Sequence, residues 1–99
     1  MGRSPRRKPD RLGEKLRAIR QSLNLSQDGI LIRLKVDGID RAAISAYELD
    51  IKEPPLYILL AYARTVNIYV DVLIDDLLDL PDELPSKKTN SGKKLRSNQ

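Results

Sequence analysis

Between Leu12 and Leu78 the apolar residues recur every three or four positions, and asparagine, glycine or proline soon breaks each run. That spacing lines side chains along one face of an α-helix, whereas a half-buried strand needs alternation, which no stretch here sustains. The chain is therefore restricted to short helices packed face to face. Leu12, Leu16, Ile19 and Leu23 form the first stripe, on a helix that begins at Arg11 and that Asp10 can cap. Asn24 suits a left-handed stop. Ser26 caps a second helix with Ile30, Leu31 and Leu34 as its apolar positions, and Gly38 breaks the chain. Asp40 caps a third helix that runs to about Leu49. Pro54 and Pro55 can open a fourth, because proline suits the first helical turn, with Leu56, Leu59, Leu60, Ala63 and Val66 facing inward. A fifth, short helix spans roughly Val70 to Leu78. The predicted class is all-α, five helices in one domain over residues 11–80.

The ends differ in kind. Residues 1–10 are rich in proline and arginine and read as a disordered basic arm; residues 81–99, rich in lysine, serine and asparagine, read as a disordered tail. The net charge of +4 conceals a polarised chain. Residues 1–35 hold ten basic and three acidic residues, a balance of +7; residues 36–86 hold three and eleven, −8; residues 87–99 add +5. Basic ends around an acidic segment point to a polyanion at one surface and a different contact at another. With neither cysteine nor histidine, disulfides, zinc fingers and thiolate or imidazole catalysis are excluded. No apolar run approaches the roughly 18 residues of a membrane span, and the start lacks a secretory h-region. The chain reads as a cytoplasmic prokaryotic protein with no membrane contact.

Residues 20–48 carry one ordered set: Arg20, Ser26, Gln27, Ile30, Leu34, Gly38, Ile39, Ile44, Ser45 and Glu48. They spell two short helices with polar starts, joined by a glycine-containing turn, which is the pattern of a helix-turn-helix. Over about Leu12 to Asp75 the chain resembles the phage repressor and Cro-type helix-turn-helix family, also called the XRE family. The resemblance rests on Arg20, Ser26-Gln27, Gly38-Ile39-Asp40, Ile44-Ser45, Glu48, Pro54, Leu59, Ala63, Ile68, Asp71 and Leu73.

The resemblance implies a lambda-repressor-like domain and a sequence-specific transcriptional regulator, read as a repressor, that binds a palindromic operator in double-stranded DNA as a homodimer. It implies that Arg41, Ala42, Ser45 and Ala46 face the major groove while Ile44 and Tyr47 face the core. Arg41 is the only long donor of the four, suited to guanine, and the alanines can offer only apolar contact, such as to a thymine methyl. Arg20 and Glu48 look like the family's ion pair between the first and third helices. Ser26 satisfies orphan amides at the start of the second helix, and Gln27 can donate to a phosphate or brace the start of the third. Lys52 and the arm, Arg3, Arg6, Arg7 and Lys8, would add phosphate contacts. Leu73 fits a family core position, which leaves Val70, Ile74, Leu77 and Leu78 as an expected dimer interface.

Three departures stand out. Lys35, Val36 and Asp37 lengthen the turn, Leu31 replaces a customary alanine, and Gly29 and Asp50 fall where the family has an acidic residue and glycine. Ile32 is expected to pack with Val36 in the enlarged corner. A second reading makes the acidic apolar stretch from Val70 to Leu84 a docking site for a protein partner such as a toxin, a protease or a polymerase subunit. The carboxylates from Asp71 to Asp79 read as solvated charge rather than catalytic groups, and neither an enzyme, a cofactor nor a metal is expected.

Overall fold

The computed structural model describes residues 9–84, so the arm residues Arg3, Arg6, Arg7 and Lys8 and the end of the tail lie outside the described residues. Five helices follow in order: α1 (Leu12–Ser22), α2 (Gln27–Leu34), α3 (Arg41–Glu48), α4 (Leu56–Thr65) and α5 (Val70–Ile74). No strand occurs among the described residues. No described helix is long and apolar enough to cross a membrane.

The core is one cluster. Leu16 and Ile19 from α1, Ile30 from α2, Ile44 from α3, Ile58 and Tyr62 from α4, Val66 and Leu73 are wholly buried. Each such aliphatic side chain contributes roughly 1.5–3 kcal/mol relative to exposure. Helix α1 packs on both α3 and α5, α2 on α3 and α4, and α4 on α5.

The expected breaks fall where backbone chemistry favours them. Asn24 ends α1 at φ 57°, and Gly38 turns the chain at φ 87°. The Ser26 hydroxyl accepts from the Gly29 amide, and the Asp40 carboxylate from the Ala43 amide. In the turn after α2, Lys35 closes the helix in the left-handed region, at φ 57°, and Val36 packs against the core.

Several expectations need correction. Asp10 does not cap α1. The helix starts at Leu12, and the amides of Asp10 and Arg11 both donate to Asp76, at 2.9 and 3.0 Å. A carboxylate from beyond α5 thus satisfies the start of α1. Helix α4 is rotated relative to its apolar pattern, burying Ile58, Leu59, Tyr62 and Ala63, while Leu56 is 80 % exposed and Leu60 39 %. Ile32 is 76 % exposed and does not fill the corner beside Val36.

Helix α5 stops at Ile74 rather than Leu78, with Asp75 already extended, and a lysine from α1 takes one carbonyl of α5 and two from the segment beyond it. Lys15, almost fully buried, donates through Nζ to the carbonyls of Val72, Asp75 and Leu78 at 2.7–3.0 Å. An ammonium group has three protons, and all three are used. Burial lowers the Lys15 pKa, with the Arg11 charge adding to the effect. Packing also runs past residue 80, since Leu84 lies half-buried against the core.

Candidate nucleic-acid interface

The orientation of α3 is set by one charged group. Arg20 of α1 grips Glu48 at the end of α3 through both ends of its guanidinium, Nε to Oε2 at 2.7 Å and Nη2 to Oε1 at 3.0 Å. Its remaining nitrogen, Nη1, donates to the carbonyl of Leu25 just before α2, at 3.0 Å. Gln27 adds a third contact, Nε2 to Glu48 Oε1 at 3.3 Å. The Gln27 amide therefore braces the end of α3 rather than its start. One carboxylate ties together the last turn of α3 and the first residue of α2, and its arginine reaches back to α1. The Glu48 side chain is only 3 % exposed, so its bidentate partner is what makes its burial tolerable. Hydrogen bonding to Glu48 raises the Arg20 pKa against an opposing effect of burial.

A second close approach sets the start of α1 against the end of α3. The Gly13 amide donates to Asp50 Oδ1 at 3.1 Å. A Cβ on Gly13 would lie 2.7 Å from the Glu48 carbonyl oxygen and 2.8 Å from the Asp50 carboxyl carbon. Asp50 itself holds φ 59°, a left-handed conformation that aspartate adopts more readily than most residues. The loop then folds back over α3, with the amides of Ile51 and Lys52 both donating to the Ala46 carbonyl. Exposed Lys52 is thereby held beside the last turn of α3.

With Ile44 and Tyr47 turned inward, α3 shows its other flank to solvent. Arg41 and Ala42 are exposed, and Ser45 and Ala46 are half-buried beside them. Helical spacing adds Leu49, 64 % exposed, to this flank, a residue that the sequence marked only as the end of the third helix. Arg41 Nε lies 4.0 Å from Asp28 Oδ1 of α2, and both side chains are more than three-fifths exposed. So open a pair contributes about 0–1 kcal/mol, and the guanidinium can leave it at little cost. Nothing in the sequence singled out Asp28, which folding brings beside Arg41 from α2.

The expected association residues separate. Val70 packs against the core, while Ile74 is 43 %, Leu78 37 % and Leu77 90 % exposed. The neighbouring carboxylates are not all idle charge: Asp76 caps α1, and Asp79 pairs with Arg11 at 2.7 Å. Hydrogen bonds from the Asp10 and Arg11 amides hold the Asp76 carboxyl below the ordinary range.

The chain matches no protein-family profile, no curated protein and no solved structure.

Proposed function

We propose that this protein is a sequence-specific DNA-binding regulator, a repressor in its simplest form, that lays α3 in the major groove. The observation that carries the reading is the exposed flank of α3, Arg41 and Ala42 beside Ser45 and Ala46, on a helix whose pitch is fixed by the Arg20–Glu48–Gln27 contacts. A helix entering the groove must be held rigidly enough that one guanidinium meets one base edge, and a bidentate buried pair provides that rigidity. In this reading Arg41 gives up Asp28 for the O6 and N7 of a guanine. Ala42 and Ala46 offer only apolar contact, suited to thymine methyls. Lys52 neutralises a backbone phosphate, and the basic residues ahead of Pro9 add sequence-independent attraction.

Repression then needs no chemistry beyond occupying the duplex. One eight-residue helix reads only a few base pairs, so two or more copies on a repeated half-site belong to the proposal.

The test is selection from a random duplex pool. A recurring half-site containing a guanine whose preference relaxes in Arg41→Ala supports the reading. A pool that returns no enriched sequence overturns it.

A further inference from the structure

We propose that copies of this protein associate head to tail, an acidic apolar ridge on one copy seating in a basic apolar groove on the next. Two apolar depressions flank α4 and share no lining residue. The first runs between α4 and the ends of α1 and α2, over Leu23, Leu34 and Ala61, with Tyr57 51 % and Leu60 39 % exposed. Its charged lining is all cationic: Arg33, Lys35 and Arg64. The second lies where α4 begins beside α5, and its projecting rim forms the ridge: Leu56 is 80 %, Leu77 90 % and Ile74 43 % exposed. Its charged lining is all anionic, Asp71 and Asp75 included.

Each face has the apolar surface and the sign of charge that the other would meet. Apolar side chains this exposed and this grouped, each set rimmed by one sign of charge, are the mark of an interaction surface. A two-fold contact over Ile74, Leu77 and Leu78 would instead set Asp71 and Asp75 of one copy against the same residues of the other, which is repulsive. The complementary face is on the same molecule.

The two depressions use different flanks of α4, Leu56 and Leu59 for one, Tyr57, Leu60 and Arg64 for the other. A copy seated on one flank leaves the other open, so the contact is heterologous and propagates. Association of this kind needs no DNA. A second consequence rests on the DNA-binding reading above: successive copies point the same way along a duplex, so the sites they occupy together are direct repeats rather than palindromes.

Sedimentation equilibrium of the full chain tests the contact. Wild-type protein should grow in mass with concentration, and less so at high salt, because the rim pairs are exposed and screened. Arg64→Glu spoils the groove and Leu77→Asp spoils the ridge, and each alone should weaken association at least about tenfold. Mixed together they should form a one-to-one pair and stop there, since the mixture holds one intact ridge and one intact groove. Both positions are exposed, so both variants should keep the wild-type melting transition, and Lys35→Glu provides a second groove variant. Wild-type protein that stays monomeric overturns the proposal. So does association untouched by Arg64→Glu and Lys35→Glu, or a mixture that fails to pair, which is the result a two-fold contact would give. The DNA arm fails separately: enriched half-sites arranged only as palindromes overturn the head-to-tail geometry and leave DNA reading intact, while no enrichment leaves the association standing without it.

Discussion

At the scale of single residues, Arg41 and Lys52 should be separable by what their loss does. In the proposed complex Arg41 meets a base edge, so Arg41→Ala should cost roughly 1–3 kcal/mol per site and relax preference at one base pair. Lys52→Ala should weaken cognate and scrambled duplexes alike and reduce the slope of log affinity against log salt by about 0.9. Binding isotherms on both duplexes at several salt concentrations decide between the roles. Asp28→Asn removes the competitor 4.0 Å from Arg41 and should raise affinity for every duplex. Tyr62 poses a different question. Its side chain is fully buried, and its hydroxyl has no hydrogen-bond partner among the described residues. Burial drives the phenol pKa far upward, so the group stays neutral. Removing an unsatisfied hydroxyl relieves a desolvation cost, so Tyr62→Phe should leave stability unchanged or raise it by about 1 kcal/mol, read from urea midpoints.

At the scale of elements, the junctions between helices hold the strain. Lys35 closes α2 in the left-handed region, where a side chain other than that of glycine, asparagine or aspartate is disfavoured. Lys35→Gly should therefore stabilise the fold by up to about 1 kcal/mol, visible as a higher melting temperature. Gly13 behaves in the opposite sense. A methyl group there would meet the backbone of α3 at 2.7 Å, so Gly13→Ala should push α1 and α3 apart and cost about 1–3 kcal/mol. Because that shift also disturbs the seat of Glu48, the same variant should lose DNA affinity out of proportion to its stability. These two glycine substitutions, one added and one removed, test whether the loops or the helices limit the fold.

At the scale of the whole molecule, the segment after α5 is bound back to the start of α1. Asp76 accepts two amides there, Arg11 donates to the carbonyl of Asp76 and pairs with Asp79, and Lys15 gathers three carbonyls. The Asp76 carboxyl titrates below its ordinary value, so its contribution to stability is fully present above about pH 5 and is lost as pH falls through its depressed folded pKa. The melting temperature of Asp76→Asn should therefore lie below wild type at neutral pH, and the gap should close on acidification. A gap that stays constant down to pH 3 would show that the ionised carboxylate does not matter. The clasp also holds Pro9 beside α5 and the loop before α4.

Much of this protein was legible from the residues alone. Helix number, the caps at Ser26 and Asp40 and the stops at Asn24 and Gly38 follow from local rules, because capping, left-handed tolerance and helical period act within a few residues; the inward Ile44 and Tyr47 were expected from the resemblance alone. What depended on distant partners was not legible. Lys15 reads as a surface lysine until α5 is docked on α1, and only then do three carbonyls converge on its ammonium group. Asp10 looks like a cap until Asp76 arrives from 66 residues away and satisfies the amides instead. The rotation of α4, which exposes Leu56 and buries Tyr62, arises because a helix apolar on several sides can present more than one face, and only its neighbours choose. Sequence determined the elements, through interactions that close within one helical turn; tertiary structure decided the clasp, the face of α4 and the pairing of Arg41 with Asp28, because each needs groups that only packing brings together.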